Sequence, residues 1–113
     1  MFKIFTPDEI KSDYIQSKDN KEEIYWKDEP KNRYDNKAVA IYSKEANGNE
    51  IKLGYIQKRI YLYKDESFKN VYTNIMDNFK MKALKNQIDE GKLCFHWDSH
   101  EETGWLIDKK RGL

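Results

Sequence analysis

Between residues 28 and 37 the chain reads DEPKNRYDNK, and nearly every side chain there can make a polar or stacking contact. Tyr34 offers an aromatic platform, and a nucleobase stacked on such a ring gains about 1–3 kcal/mol. Lys27, Lys31, Arg33 and Lys37 stand in or beside the stretch, opposed by Asp28, Glu29 and Asp35, which leaves one net positive charge. The planar fork of Arg33 suits a phosphate. Asp35 repels a phosphodiester but accepts a hydrogen bond from a hydroxyl, including the terminal hydroxyl of a sugar. A ring, a cation and one acceptor suit the end of a strand better than its middle. The same residue types also make an ordinary turn, with Asn32 and Asp35 as caps and Tyr34 packed on it. Whether Tyr34 is exposed separates the two.

A second stretch with chemical potential is CFHWDSH, residues 94 to 100. At a period of two, Cys94, His96, Asp98 and His100 would share one face of a strand, and all are ligand types for zinc or ferrous iron. Leu93, Phe95 and Trp97 fill the other face, so the same alternation describes the solvated side of an amphipathic strand. The acids and Gly104 place a turn near Ser99 that moves His100 off that face. The expectation is therefore no metal and no cofactor, with His96, Asp98 and His100 as the candidate ligands. Cys94 and His96 do not form a nucleophile–base placement, no serine lies in a glycine-flanked elbow, and no glycine loop cradles phosphate. A non-catalytic protein is expected.

These residues need elements to hold them. FKIF, residues 2 to 5, alternates as a strand that Pro7 ends, and TPDEIKSDYIQSKDN begins like a helix, with Ile10, Tyr14 and Ile15 at helical spacing, which fits one short helix or a decorated loop. EIYWKDEP is a strand stopped by acids and Pro30. KAVAIYSK and IKLGYIQ pair as a hairpin through Asn47-Gly48, and Gly54 within the second marks a bulge or a close approach by another backbone. Phe68, Val71, Tyr72, Ile75 and Met76 fall at one helical stripe, capped by Asp65 or Ser67, which predicts the main helix over SFKNVYTNIMDN. FKMKALKNQI fits either strand or helix. KLCFHWD and WLID are the last strands, and KKRGL, residues 109 to 113, is a basic tail. The fold class expected is β-rich α+β, a small bent sheet or barrel with one main helix.

Composition bounds the partners. In 113 residues, 21 Lys and Arg face 20 Asp and Glu, so no global electrostatic grip on nucleic acid exists and phosphate binding has to be local. Aromatics at 14% oppose disorder. One cysteine excludes an internal disulfide and suits a reducing compartment. No apolar run approaches the roughly 20 residues that cross a bilayer, and MFKIFTPDEIK has no signal-peptide core. A single soluble, cytoplasmic domain with no membrane partner is expected.

The order EPKNRYDNKAVAIY followed by LGYIQKRI resembles the HIRAN domain family. That family reads acid-Pro-x-Asn-Pro-Tyr-Asp-x-Asn-Ala-Ile/Val-x-Val and then Gly-Tyr-aliphatic-Pro-Lys. Glu29, Pro30, Asn32, Tyr34, Asp35, Ala38 and Val39 match it, as do Gly54, Tyr55, Ile56 and Lys58, within residues 24 to 60. Arg33 stands at a usual Pro, Lys37 at a usual Asn and Gln57 at a frequent Pro. The resemblance implies an SH3-like or OB-like barrel of the kind found in SWI/SNF-type DNA translocases and in standalone bacterial and phage proteins. In fork-remodelling members the domain captures the 3′ end of single-stranded DNA. Carried over, Tyr34 would stack on the terminal base, Asp35 would accept the 3′-hydroxyl, Asn32 would shape the loop or meet the sugar-phosphate, and Lys58 would meet phosphate. Lys31, Arg33 and Tyr55 complete the expected DNA-binding set. The first strand of DNA-binding members brings a second stacking ring and a basic residue, for which this chain offers Phe5 and Lys3.

A different class of partner also fits. Near-neutral charge and the acids of residues 89 to 102 suit a protein-interaction module, for instance a phage or mobile-element inhibitor of a host defence nuclease.

Overall fold

The computed structural model describes residues 1–64 and 70–109, with 59–64 and 70–75 described by backbone alone. The strands are β1 (Phe2–Phe5), β2 (Ile24–Glu29), β3 (Ala38–Lys44), β4 (Glu50–Ile56), β5 (Arg59–Lys64), β6 (Asn70–Ile75), β7 (Leu93–Asp98) and β8 (Thr103–Asp108). A 3-10 turn at Asp8–Ile10 and a four-residue helix α1 (Asp13–Gln16) follow β1, and α2 (Asn78–Asp89) is the main helix. The fold is a β-rich α+β arrangement, as the residue patterns indicate.

Six strands form one antiparallel sheet in the order β2-β3-β4-β1-β8-β7. Its two edges meet: Lys21, just before β2, exchanges backbone hydrogen bonds of 2.9 and 2.8 Å with Phe95 on β7. The sheet thereby curls toward a barrel and leaves less open edge than a flat sheet would. Lys21 is itself buried, its ammonium held by Ser17 Oγ and the Asp19 carbonyl and lying over the Tyr14 ring. Burial lowers its pKa from the ordinary lysine value. Inside the curl, Ile4, Ile41, Leu53, Phe95 and Leu106 from five strands meet Leu84 of α2, all fully buried. Each such side chain contributes about 1.5–3 kcal/mol by leaving water.

Gly54 shows how the sheet positions the site. A Cβ there would stand 2.4 Å from the Phe5 carbonyl oxygen and 2.7 Å from Ile4 Cγ2, so only glycine lets β1 lie this close. Pairing of β3 with β4 slips at the same place: Ile41 opposes Gly54, but Tyr42 opposes Lys52, which leaves Leu53 as the extra residue of a bulge. Leu53 and Ile56 point into the core while Lys52 and Tyr55 come together outside, Nζ to hydroxyl 3.0 Å. The bulge or close approach expected at Gly54 is in fact both.

The main helix lies later than its expected place. Asn70–Ile75, within the stretch assigned to a helix, is strand β6, paired with β5; Phe68 and the proposed caps Asp65 and Ser67 lie outside the described residues. Residues 61–113 therefore begin with a hairpin before the helix. The reason is composition: NVYTNI is β-branched and aromatic, and RIYLYK supplies an adjacent partner strand, so pairing outweighs the helical spacing of the same apolar residues. The ambiguous FKMKALKNQI forms α2 instead, rich in Lys, Ala, Leu and Gln. Asp77 caps it by accepting from the Lys80 N–H at 2.8 Å. Gly91, at φ +71°, ends it, with Gly91 N–H bonded to Ile88 O and Lys92 N–H to Gln87 O. Leu84 and Ile88 face the core, and Trp26 of β2 donates to Asp89 at 2.9 Å while Lys85 pairs with Asp28 and covers the Trp26 ring. Residues 110–113 of the basic tail lie outside the described residues.

Candidate functional site

The loop from Pro30 to Lys37 joins β2 to β3 and is held by its own polar groups. Asn32 Oδ1 accepts from the backbone N–H of Tyr34 and of Asp35, at 2.9 and 3.1 Å. Backbone bonds from Asn32 N–H to Glu29 O and from Ala38 N–H to Asp35 O, both 3.0 Å, close the two ends. Asp35 Oδ1 accepts from the Lys37 N–H at 2.9 Å, and its Oδ2 pairs with Lys58 Nζ at 2.6 Å. Lys58 also donates to the Lys37 carbonyl at 2.9 Å. These contacts with Lys58 and Lys37, together outweighing partial burial, hold the Asp35 carboxyl below its usual range, so it is ionised.

Asn32 and Asp35 thus do cap the turn, but Tyr34 is not packed on it. Its residue surface is 91% exposed. A ring held on a braced loop with both faces open is an unusual use of a large apolar side chain.

Tyr34 projects beside a groove of about 1070 Å³. One wall is Lys31, Asn32, Arg33, Tyr34 and Asp35; another is Lys3 and Phe5 of β1; Tyr55 and Gln57 lie between, and residues 8–11 with Glu102 and Thr103 close the far side. Register explains the meeting. Phe5 pairs directly with Tyr55 across β1 and β4, so the first strand delivers its ring to the edge where the loop begins. Phe5 is 54% exposed. The groove therefore has exposed rings from two separate elements, with cations beside each.

Its charges nearly balance. Lys3, Lys11, Lys31 and Arg33 face Asp8, Glu9, Asp35 and Glu102. Lys11 is paired with Asp8 at 2.9 Å, and Asp35 with Lys58. Among the described residues, Lys3, Lys31 and Arg33 have no ion-pair partner, so positive charge is uncommitted on the Phe5 and Tyr34 sides. The far wall keeps Glu9 and Glu102.

Of the expected set, Lys31, Asn32, Arg33, Tyr34, Asp35 and Tyr55 all line this groove. Lys58 does not. It lines a neighbouring groove of about 570 Å³ with Lys37 and Met81, and reaches the first only through Asp35. Lys52, which pairs with Glu29 at 2.6 Å behind the loop, and the far walls at 8–11 and 102–103 carry no signal of their own in the sequence. Those walls come together through the pairing of β1 with β4 and β8, which no local spacing announces.

The candidate metal ligands are dispersed over other tasks. Asp98 Oδ1 accepts from the backbone N–H of His100 and Glu101, at 3.0 and 3.2 Å, forming the expected turn. His96 Nδ1 shares a hydrogen bond of 2.9 Å with Asn20 Oδ1. Among the described residues no group of three His, Cys, Asp or Glu is placed to hold a metal. Cys94, expected on a solvated face, is buried. Burial, with Glu22 and Asp108 adding, pushes its thiol up.

Comparison of the chain with protein-family models, with curated proteins and with solved structures finds no match. Among the described residues no helix is long and apolar enough to cross a membrane.

Proposed function

We propose that this chain is a non-catalytic module that binds single-stranded DNA at a 3′ end, in the manner of a HIRAN domain. The observation that supports it best is the 91% exposure of Tyr34 on a loop braced by Asn32 and Asp35, facing a groove that also exposes Phe5. A core or scaffold tyrosine would be covered. In this reading Tyr34 and Phe5 take the faces of the terminal base or bases. Arg33, Lys31 and Lys3 meet the phosphates that follow. Asp35, ionised and fixed by Lys58 and the Lys37 N–H, has lone pairs left to accept the 3′-hydroxyl. Lys58 acts through Asp35 and meets phosphate only by leaving it. Arg33 at the family's usual proline adds a cation beside the stacking ring.

With few free cations, affinity rests on stacking and end recognition, and salt dependence is shallow, with a slope set by two or three phosphate contacts. The test is titration of a linear single-stranded oligonucleotide and of the same sequence circularised. The linear strand binds and the circle does not; equal binding of both rejects end recognition.

The balanced charge of the groove favours one other reading, a protein-interaction module such as an inhibitor of a host defence nuclease. Affinity capture from host lysate with and without nuclease treatment separates the two. A partner that survives digestion, with no DNA binding by the pure protein, favours the interaction module.

A further inference from the structure

Glu29 lies at the end of β2, behind the groove and not among the residues that line it. Its carboxylate is the meeting point of three donors. Oε1 accepts from Asn32 Nδ2 and from the Tyr55 hydroxyl, both at 3.1 Å, and Oε2 pairs with Lys52 at 2.6 Å. Lys52 in turn donates to the Tyr55 hydroxyl at 3.0 Å, which closes a ring of contacts across β2 and β4. The ring meets the groove through Asn32 and Tyr55, and Asn32 is the member that carries it into the loop of Tyr34.

We infer that Glu29 is a positioning residue that sets how the loop presents Tyr34 and Asp35. This rests on the proposed use of the groove as a binding site. An amide side chain can sit in two orientations, and the choice belongs to its partners. Glu29 accepts and cannot donate, so it fixes the Asn32 nitrogen toward itself. The Asn32 oxygen must then face away, where it receives the N–H groups of Tyr34 and Asp35. Reversing the amide would set its nitrogen against two donors. The orientation that presents Tyr34 is thus dictated by a residue that touches no ligand.

The environment holds Glu29 in the form this needs. Burial alone would raise its pKa, but hydrogen bonds from Lys52, Asn32 and Tyr55, with the charge of Lys52, outweigh that and hold it below the ordinary glutamate value. Lys52 responds in the opposite sense: burial opposes its charge, yet Glu29 and Tyr55 raise it above the ordinary lysine range. Both members therefore stay charged at neutral pH. The bulge at Leu53 is what brings Tyr55 and Lys52 to the same side, so this ring depends on the sheet irregularity already described.

The polarity of the Glu29–Asn32 contact provides the test, because it can be reversed. Asn32→Asp keeps an acceptor for Tyr34 and Asp35 but sets a carboxylate against Glu29. Adding Glu29→Gln restores one donor and one acceptor, with the new amide at 29 donating to the new carboxylate at 32. Two readouts are taken on each protein: backbone hydrogen exchange at Tyr34 and Asp35, and affinity for a 3′-hydroxyl oligonucleotide, with thermal unfolding to establish that each variant is folded. Asn32→Asp is expected to speed exchange at both amides and to weaken binding about tenfold, the scale of one lost charge-assisted hydrogen bond. The double variant is expected to recover both readouts to within about threefold of the original. Glu29→Gln alone, which still accepts from Asn32, is expected to change binding less than Asn32→Asp does. A double variant no better than Asn32→Asp overturns the inference. Should the unaltered protein bind no oligonucleotide, the proposed function fails, while exchange at Tyr34 and Asp35 still decides the role of Glu29.

Discussion

Replacing Tyr34 by alanine separates a binding ring from a structural one. The residue is 91% exposed, and among the described residues its side chain makes no hydrogen bond, ion pair or ring contact. Removing it uncovers little and unpairs nothing, so the change in stability is within about 0.5 kcal/mol. The loop itself survives, because its bonds run through the backbone of Tyr34 and the side chains of Asn32 and Asp35. Binding is a different matter. Loss of one stacked base is worth about 1–3 kcal/mol, or roughly 5- to 150-fold in affinity. Tyr34→Phe keeps the ring and is expected to retain nearly all of that affinity. Fluorescence anisotropy with a labelled short oligonucleotide gives the affinities, and thermal unfolding of the same samples gives the stabilities. Two results would refute the reasoning: unchanged affinity in Tyr34→Ala, or a loss of affinity that merely follows a fall in melting temperature.

Other expectations concern the frame and the carboxylate. Gly54→Ala places a methyl 2.4 Å from the Phe5 carbonyl, and is expected to destabilise the fold by about 2–3 kcal/mol, read by denaturant unfolding. Asp77→Ala removes the cap of α2 and is expected to cost about 1 kcal/mol by the same measurement, with little effect on the groove. The pH dependence follows from Asp35, whose folded-state pKa lies below the ordinary value. Its stabilising contribution is present above the unfolded carboxyl's pKa and is lost as pH falls through the lower folded value. Oligonucleotide affinity is accordingly expected to be flat between about pH 5 and pH 8 and to fall only in stronger acid; a titration step near neutrality would contradict the assignment of Asp35 as acceptor.

Much of the frame was legible because it is written locally. β1 to β4, β7 and β8 announce themselves by alternation and turn residues, and Gly54 announced its bulge. The helix was misplaced because Val71, Tyr72, Ile75 and Met76 satisfy a helical stripe by spacing, while their β-branched and aromatic character and the partner at Arg59–Lys64 decide for a strand. Cys94 keeps the face that alternation assigns it, but that face is covered at this position, which spacing along a single strand does not announce. At the groove, the loop was readable as a cluster of functional groups. Of the other walls, Phe5 and Lys3 were offered by the resemblance alone, and Glu102 and the 8–11 turn by nothing, since they meet the loop only through the non-local pairing of β1. Glu29 stood in the motif as an acid of no stated purpose; its purpose appears only when Tyr55 and Lys52 are brought beside it.

The central claim is that the Tyr34 groove receives a DNA end whose hydroxyl is accepted by Asp35. The most direct measurement is the affinity, at low salt, for one oligonucleotide ending in a 3′-hydroxyl and for the same oligonucleotide ending in a 3′-phosphate. A charge-assisted hydrogen bond gained with one end, and repulsion met with the other, predict tighter binding of the hydroxyl by about tenfold or more. Equal affinity for the two ends would contradict the role of Asp35, and binding to neither would contradict the account of the groove.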